Sequence, residues 1–541
     1  MLVDVSALVT ENLDIWSSTI KAKNSQGRGS SKKTELYGVK KLRELILELA
    51  VRGLLVPQDP NDEPASVLLK KIGQEKWRLV EEKKIKKQRP LSKIEKSEEP
   101  FKLPSGWMWT RLGDLVEMYN GRAFKSHEWR ESGGLPIVRI QNLNNQDLSF
   151  NYFEGELSEH HRINDNSFLI SWSGTPGTSF GAFIWRRGEA ALNQHINNCI
   201  FHIEHINLEF MRLAVNGCMN HFISMAQGGV GLKHVTKGTL NNAIIGFPPE
   251  DEQNRIVTKV NELMTLCDRL EQQQETSISA HQTLVESLLG TLVNAADATS
   301  FSAAWQRIAE NFDVLFTTEH SIEQLKQTIL QLAVMGKLVS FGERVQSKVV
   351  KDVLSFGPRN GLSPKEAAVE TDRRVLKLGA TSFGFLNLQQ VKFVDIDIPE
   401  DSHLWLKAGD ILVQRGNSSV FVGSNVLIEA DVIHTIYPDL MMKLRANDSV
   451  EPEYLSLWMR APESREYMWS RMTGTSGTMP KISKRVVEGV PISVPSINVQ
   501  KAIVDKVNEL MTLCDTLLDR IKAAQTTQLN LTDAITEQAT A

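Results

Sequence analysis

The feature that most constrains the fold of this chain is an internal repeat. Residues 256–268 read IVTKVNELMTLCD and residues 503–515 read IVDKVNELMTLCD, so they differ at one position. Upstream of these, residues 42–56 (LRELILELAVRGLLV) match residues 325–339 (LKQTILQLAVMGKLV) in the same order. The repeat is far longer than a solenoid unit. The sequence therefore predicts a pseudo-two-fold tandem repeat in which each half is a globular domain plus helices.

The more similar pair of segments has the apolar spacing of coiled-coil helices. In the second copy, apolar residues recur at alternating intervals of four and three, at Ile503, Val507, Leu510, Cys514, Leu517 and Ile521. This is the spacing of an a/d seam, and the first copy repeats it from Ile256. A helix over about 251–294 would be roughly 60 Å long at ~1.5 Å per residue. Such a length suits a spacer better than a helix inside a globular core.

The offsets between the repeats change along the chain and locate the insertions. We expect six regions: an N-terminal helical segment that pairs with the C-terminal helix (1–56), a basic linker (57–100), a first head (101–250), central spacer helices (251–340), a second head (341–498) and a C-terminal spacer helix (499–541). The linker has little counterpart in the second copy. Between Lys70 and Lys102, twelve Lys and Arg accompany six Glu. This composition favours a solvated, mobile linker, with DNA contact as the alternative.

The two heads are rich in short β-like runs, such as 135–141 (LPIVRIQ) and 410–414 (DILVQ). Each also has a helical stretch near its end. The predicted fold class is therefore α+β, with two mixed α/β domains separated by long helices. Local similarity aligns 168–174 (FLISWSG) with 410–416 (DILVQRG), and it aligns residues 233–237 (KHVTK) with 480–484 (PKISK).

In both heads a strand ends in a loop of small and polar residues. Small residues let a backbone approach phosphates, Lys and Ser donate to phosphate oxygens, and Arg, Asn and Gln make paired hydrogen bonds to base edges. The predicted base readers are Arg139, Gln141 and Asn142 in the first head and Arg415 and Asn417 in the second. The predicted phosphate contacts are Lys233, Lys237, Lys481 and Lys484. Taken singly, a residue of this kind is more often an ordinary surface residue.

Composition and motifs argue against several other functions. The chain has no apolar run of about 18 residues and no signal-peptide pattern, so we expect a cytoplasmic protein that does not contact a membrane. Its four cysteines form no CxxC pair, and we expect no metal site. Neither a P-loop nor a methyltransferase N/D-P-P-F/Y loop occurs. Residues 177–181 fit G-x-S-x-G, but a strand-like run follows where a nucleophile elbow needs a helix. We therefore predict that the chain is not itself an enzyme.

The polar positions of the repeated helix are identical in both copies, although the heads have diverged. They are Asn261, Glu262, Thr265 and Asp268 in the first copy, and Asn508, Glu509, Thr512 and Asp515 in the second. A coiled coil needs only its apolar stripe. We hypothesise that these residues present one surface to two copies of the same partner.

Several motifs resemble those of type I restriction–modification specificity subunits. They are residues 103–109 (LPSGWMW) followed by 112–115 (LGDL), residues 54–65 (LLVPQDPNDEPA), residues 359–363 (RNGLS) and the pattern PPxxxQxxIV at 248–257. The RNGLS resemblance adds Arg359 and Asn360 to the expected DNA contacts. The second head lacks the GWxW motif and is expected to start at about Lys348.

The resemblance implies the rest of the expected function. Two target-recognition domains would be held apart by antiparallel helices, and each would read one half of an asymmetric bipartite site in duplex DNA. Two methyltransferase subunits would dock on the chain, and motor–nuclease subunits would join through them. S-adenosylmethionine, ATP and magnesium would be used by those partners, with no cofactor in this chain. The alternatives are a coiled-coil assembly scaffold and a DNA-binding protein without a methyltransferase partner.

Overall fold

The computed structural model of the chain describes residues 5–22, 34–145, 147–174, 180–204, 206–218, 233–474 and 479–540. The chain divides into two compact units. Unit 1 comprises Met1–Lys21, Leu36–Gln274 and Gln528–Ala541, and unit 2 comprises Ala22–Glu35 and Glu275–Thr527. Each unit therefore contains one head and one copy of the repeated helical segments. No helix within the described ranges is long and apolar enough to cross a membrane.

The helices are α1 (Val5–Glu11), α2 (Leu13–Ser18), α3 (Tyr37–Arg52), α4 (Ala65–Glu81), α5 (Leu112–Leu115), α6 (Ile140–Asn144), α7 (Leu208–Gly217), α8 (Lys237–Asn241), α9 (Glu250–Val293), α10 (Ala298–Glu310), α11 (Phe312–Leu315), α12 (Glu319–Val334), α13 (Pro452–Arg460), α14 (Pro462–Trp469), α15 (Lys484–Glu488) and α16 (Ile497–Thr540). Helices α9 and α16 have 44 residues each, or about 66 Å at ~1.5 Å per residue. The long helix predicted over about 251–294 is confirmed.

The two long helices begin with the same local device. In α9 the Gln253 side chain donates to the Pro248 carbonyl at 3.2 Å, and in α16 Gln500 donates to the Pro495 carbonyl at 2.9 Å. Both glutamines are fully buried. In α9 three acidic residues also occupy the first turn, where they complement the positive end of the helix dipole. A proline-bounded strand end followed by this glutamine therefore starts both spacers.

The strands outside the second head are β1 (Lys21–Ala22), β2 (Thr34–Glu35), β3 (Met108–Arg111), β4 (Val116–Asn120), β5 (Leu135–Val138), β6 (Asn151–Phe153), β7 (Arg162–Ile163), β8 (Phe168–Ser171), β9 (Ser173–Gly174), β10 (Gly181–Ile184), β11 (Ala190–Leu192), β12 (Ile196–Phe201), β13 (Lys233–His234) and β14 (Ile244–Phe247). In head 1 they form an antiparallel sheet in the order β10-β8-β12-β4. A second sheet has the order β6-β5-β11-β7, with β5 and β11 parallel. Strands β3 and β14 pair at the base of the head.

Head 2 consists of β15 (Gln346–Val349), β16 (Leu354–Asn360), β17 (Arg374–Leu376), β18 (Val391–Phe393), β19 (Trp405–Leu406), β20 (Asp410–Gln414), β21 (Asn425–Leu427), β22 (Val432–Ile436), β23 (Met441–Ala446) and β24 (Pro491–Val494). Its sheets have the orders β21-β20-β23-β16 and β18-β17-β22-β19, with β17 and β22 parallel. Strands β15 and β24 pair as β3 and β14 do. The two heads therefore share one topology, and head 2 begins at β15 although it lacks the GWxW motif.

The alignment of Phe168 with Asp410 is wrong by one residue. On β8, Phe168 packs in the core shared with the helices, whereas Leu169 packs against the second sheet. On β20 the same two environments are occupied by Ile411 and Leu412. Phe168 therefore corresponds to Ile411. Because side chains alternate across a strand, a slip of one residue exchanges the two faces, and short apolar runs such as FLIS and ILV do not reveal the slip.

The end of α16 packs on the N-terminal segment within unit 1. Thr532 Oγ1 lies 3.0 Å from Thr19 Oγ1, and the Tyr37 hydroxyl donates to Asp533 at 2.7 Å. Burial and this carboxylate raise the pKa of Tyr37 to about 12. Residues distant in sequence thus meet where the first helical segment and the last one come together.

The basic linker is an ordered part of head 1, so the mobile-linker expectation is wrong. Helix α4 occupies its first half. Arg111, which is 3 % exposed, donates to the carbonyls of Ser92 at 2.7 Å and Lys93 at 3.2 Å. The Gln88 amide donates to the Glu117 carboxylate on β4. Charge composition does not reveal these anchors, because they lie on partners elsewhere in the sequence.

Candidate nucleic-acid interface

Four segments meet at one end of each head and form what we call the loop cluster. In head 1 these are residues 120–122, Trp172, 193–195 and 235–237; in head 2 they are 360–362, Arg415, 438–440 and 482–484. The backbone links are the same in both. In head 1 the Trp172 N–H donates to the His195 carbonyl, and its carbonyl accepts from Val235 N–H. In head 2 Arg415 makes the equivalent bonds to Leu440 and Ile482.

A glycine closes each loop cluster. A Cβ on Gly121 would lie 2.2 Å from the Asn193 carbonyl oxygen, and one on Gly361 would lie 2.0 Å from the Tyr437 oxygen. Neither contact can be relieved by rotating a side chain, since both are with backbone atoms. Each glycine follows an asparagine at the end of an edge strand, Asn120 on β4 and Asn360 on β16. An Asn-Gly pair after a strand could have identified the head 1 loop at 120–122 from the sequence. Our prediction did not include this loop.

The loop cluster of head 1 is flanked by aromatic and imidazole rings. The rings of Trp172 and His195 lie 5.5 Å apart, and those of Tyr119 and His160 are stacked at 3.8 Å. Gln194 is exposed between the ring-bearing segments. This surface combines planar groups and amides with two cations, Arg122, which pairs with Glu128, and Lys237.

The loop cluster of head 2 is more basic. Arg359 is exposed, with its guanidinium 5.7 Å from the Phe356 ring. Burial and the neighbouring Arg359 lower the pKa of His403. The Nε of Arg415 is buried and has no hydrogen-bond partner among the described residues, and the same holds for Asn360 Oδ1. A buried polar atom without a partner is costly. Arg415 and Asn360 as whole residues are half-buried, so they differ from residues with no exposed surface.

The predicted site residues of head 1 have different surroundings. Gln141 is exposed, and the Arg139 guanidinium lies 5.4 Å from the Trp129 ring. Asn142 has no exposed surface: it accepts from the Arg139 N–H and donates towards the carbonyls of residues 148 and 149. This geometry gives Asn142 a role in holding its loop, because a group without exposed surface cannot reach a base edge. We therefore do not expect Asn142 to contact a base.

The predicted phosphate contacts of head 1 lie on one short stretch. The backbone of Lys233 pairs with that of Gly174. Lys237 is the first residue of α8, which Thr236 caps, and its ammonium donates to the Met118 carbonyl at 2.5 Å. Lys237 is thus tied to the edge strand β4, although much of its side chain is exposed.

The predicted residues of head 2 remain nearer the surface. Lys481 and Lys484 are exposed, and Lys484 begins α15 as Lys237 begins α8. The Asn417 amide donates to Gln414 Oε1 at 2.7 Å, which leaves it half-buried beside Arg415. The loop cluster of head 2 contains Asn360, Arg415 and Lys484, and its segments are adjoined in the sequence by Arg359, Asn417 and Lys481.

Comparisons with known proteins address the identity of this arrangement. A family model described as "Type I restriction modification DNA specificity domain" matches residues 104–280. The type I restriction enzyme EcoEI specificity subunit of Escherichia coli is 34% identical over an alignment of 604 residues. The alignment covers 99% of this chain and 99% of that protein. The chain belongs to the family of type I restriction enzyme specificity subunits. The EcoAI specificity subunit of the same species is 33% identical over 598 residues, covering 99% of this chain and all of that protein.

A solved structure from work on complex assembly and conformational transition of the type I R-M system has the same fold. It superimposes with a TM-score of 0.52 at 16% identity, covering 82% of this chain and 99% of that one. The predicted class of two α/β heads joined by long helices is therefore confirmed for this specificity subunit. Membership of a specificity-subunit family also supports the prediction that the chain is neither the methyltransferase nor the nuclease.

The aspartates that are identical in the two copies, Asp268 and Asp515, each pair with a cation elsewhere in this specificity subunit. Arg43 on α3 lies 2.5 Å from Asp268 on α9, and Lys326 on α12 pairs with Asp515 on α16. Arg43 and Lys326 are equivalent positions of the repeat. The identity of Asp268 and Asp515 is therefore explained by two equivalent ion pairs, which our partner-docking hypothesis did not consider.

Among the residues that the structure describes, the polar contacts of the other repeated polar residues lie within their own helices. Glu262 pairs with Lys259 and Glu509 with Lys506. The hydroxyls of Thr265 and Thr512 donate to the carbonyls of Asn261 and Asn508, each at 2.8 Å. All six of these repeated residues are exposed. Their internal contacts do not require identical residues in both copies, so a shared external partner remains the better explanation for them.

Proposed function

We propose that each head presents its loop cluster to the major groove of duplex DNA and reads one half of an asymmetric bipartite site. The observation that carries the proposal is the pair of loop clusters, which have the same backbone links and different side chains. A shared frame supports the same docking geometry in both heads. Divergent side chains then give each head its own preferred bases.

The chemistry of head 2 supports reading by hydrogen bonds. Arg415 is half-buried within the loop cluster, and arginine makes paired bonds to guanine O6 and N7. Asn360 and Asn417 add amides, and amides pair with adenine N6 and N7. Lys481 and Lys484 provide cations for the flanking phosphates, which fix the register without carrying sequence information.

The chemistry of head 1 supports a different half-site. Trp172 takes the position of Arg415. At this position head 1 would therefore make apolar contact with a thymine methyl group or a base edge, where head 2 would donate two hydrogen bonds from a guanidinium. Arg139 and Gln141 are the remaining predicted base readers, with Lys233 and Lys237 as phosphate contacts. Gln194, which the sequence prediction omitted, joins them because it is exposed in the loop cluster itself.

Partner docking is the second part of the proposal. The exposed Asn261, Glu262 and Thr265, with their equivalents Asn508, Glu509 and Thr512, would bind two copies of one methyltransferase subunit. Motor–nuclease subunits would join through these. S-adenosylmethionine, ATP and magnesium would act in the partners. Helices α9 and α16 would set the spacing between the half-sites.

The test of function is base-resolution methylation mapping in cells that express the chain with its methyltransferase subunit. We expect a bipartite adenine-methylated motif that disappears when the chain is omitted. A motif independent of the chain, or no motif together with no binding of duplex DNA at low salt, would refute reading and favour an assembly scaffold.

The docking surface needs its own test. Replacing Glu262 and Glu509 together by Ala should reduce the number of methyltransferase subunits bound per chain, measured by native mass spectrometry. Replacing Glu286, an exposed acid on α9 outside the repeated motif, is the control. Full occupancy in the double variant would exclude these two residues from the docking surface.

A further inference from the structure

A second basic surface lies on head 1, apart from its loop cluster. Residues 83–93 read KKIKKQRPLSK and contain six cations and no acid. We call this segment the basic arm. Its six cations are all exposed: Lys83, Lys84, Lys86, Lys87, Arg89 and Lys93. Within the described residues only Lys84 forms an ion pair with a carboxylate, that of Glu82. The arm therefore carries a concentrated positive charge that the chain itself does not neutralise.

The basic arm is held in a fixed place. Gln88 in its middle donates to both oxygens of Glu117 at 2.5 and 2.7 Å, and Arg111 holds the carbonyls of Ser92 and Lys93. The neighbouring Lys87 and Arg89 are both exposed, with the Lys87 ammonium 5.7 Å from the centre of the Trp77 ring on α4. An anchored run of cations loses less conformational entropy on binding than a mobile one.

The anchor also places the arm near the loop cluster. Glu117 and Asn120 lie on the same strand, β4, three residues apart, which is about 10 Å at ~3.3 Å per residue. One turn of B-DNA extends roughly 34 Å. A duplex that reaches the loop cluster at Asn120 is therefore long enough to pass the basic arm as well.

We propose that the basic arm binds the phosphate backbone of the duplex beside the half-site read by head 1. This inference rests on the proposed function, since it assumes that the loop cluster contacts DNA. The composition favours phosphates over an acidic protein partner: Lys and Arg are the usual phosphate contacts, whereas Lys is depleted at protein–protein interfaces. Head 2 has no such arm, because β15 begins at Gln346, soon after helix α12.

The experiment compares two variants of equal charge in the assembled complex with the methyltransferase subunit. The test variant replaces Lys86, Lys87 and Arg89 by Gln. The control variant replaces Lys70, Lys71 and Arg78 by Gln, which are exposed on α4; Lys71 and Arg78 already pair with acids there. Binding to target and unrelated duplexes is measured between 50 and 200 mM salt.

In the test variant we expect a shallower dependence of log K on log salt, by about 2 to 3, because each lost phosphate contact removes about 0.9. Affinity at low salt should fall by roughly tenfold or more for both duplexes, while the methylated motif stays the same. An unchanged salt dependence would overturn the proposal, and so would loss of the methyltransferase subunit from the test variant. The wild-type methylation map tests the proposed function separately, so an intact map with unchanged salt dependence refutes the arm alone.

Discussion

The two heads share every strand pairing but differ in the chemistry at their centres. In head 2 the fully buried Asp410 lies 3.0 Å from Lys443, which is 3 % exposed. Burial lowers the pKa of Lys443, although the Asp410 charge opposes this. At the equivalent positions head 1 has the neutral residues Ser167 and Asn198. The frame therefore depends on its apolar pattern and backbone pairing, and it tolerates the exchange of a buried ion pair for neutral groups.

The loop clusters differ in the same manner. Trp172 and His195 in head 1 take the positions of Arg415 and Leu440 in head 2. The backbone bonds of these residues are equivalent, so divergence is confined to what the side chains present. This pattern is expected of two readers that evolved different specificities on one scaffold.

The largest predicted difference between the heads concerns the buried ion pair. Lys443→Met should destabilise unit 2 by about 3 kcal/mol. It removes the buried cation beside the Asp410 carboxylate and leaves only Arg445, whose side chain is partly exposed, paired with it. Hydrogen exchange of peptides from β20 and β23 measures this effect. Asn198→Met, the matched change in head 1, should cost about 1–2 kcal/mol, since it removes one neutral hydrogen-bonding group. Equal losses in the two heads would show that the ion pair does not distinguish them.

The two loop-cluster glycines should behave alike. Gly361→Ala and Gly121→Ala each introduce a clash with a backbone oxygen, which should cost about 2–3 kcal/mol and displace the loop. We expect each variant to lose recognition of one half-site, measured as binding to duplexes altered in one half. The control is Gly73→Ala on α4, where a Cβ meets no other atom within 4 Å and the backbone φ is not positive. A harmless Gly121→Ala would refute the equivalence.

The larger pH effect of the buried histidines should come from head 1. Burial, with a contribution from Lys76, lowers the pKa of His202 to about 4, from an ordinary value near 6.5. The unfolded chain therefore binds a proton between these values that the folded head excludes. Stability falls as pH drops through this window, by up to about 3 kcal/mol for a shift of this size. Head 2 has Asn447 at this position, where the backbone N–H makes the equivalent bond. His202→Asn should flatten the pH dependence of unfolding in this range; the same slope in the variant would exclude His202 as its source.

The smallest predicted effects concern the equivalent ion pairs of the helices. Arg43→Ala and Lys326→Ala should each cost about 0.5 kcal/mol, because Asp268 and Asp515 are largely exposed and solvent screens the interaction. Chemical denaturation with the two variants checks this. A loss above 2 kcal/mol in either would mean that the pair has a larger role than a surface ion pair.

Much of the fold could be predicted from the sequence because the repeat is so clear. Twelve matching positions in 256–268 and 503–515 identify the spacers, and the 4-3 spacing gives their structure. The register of β8 against β20 could not be obtained in this way, because buried strands that are apolar on both faces carry no alternation. The hydrogen bonds that anchor the basic arm could not be predicted either, since their partners Arg111 and Glu117 lie in another region of the sequence.

The site was predicted in part. Loop residues after strands, such as Arg415 and Lys484, were found from residue type and position. Asn142 was misjudged because an asparagine that satisfies its own loop has the same sequence signal as one that faces a base. Trp172 was missed because its equivalence to Arg415 depends on the corrected register.

The most direct test of two independent readers is methylation mapping after exchange of one head. Residues 57–250, which include the linker anchored in head 1, would be replaced by the corresponding region of the EcoEI specificity subunit, with both long helices and head 2 retained. If each head reads its own half-site, we expect a bipartite motif in which one half is new and the other half is unchanged. A motif that stays whole, or that changes in both halves, would contradict the claim that each head reads its own half-site.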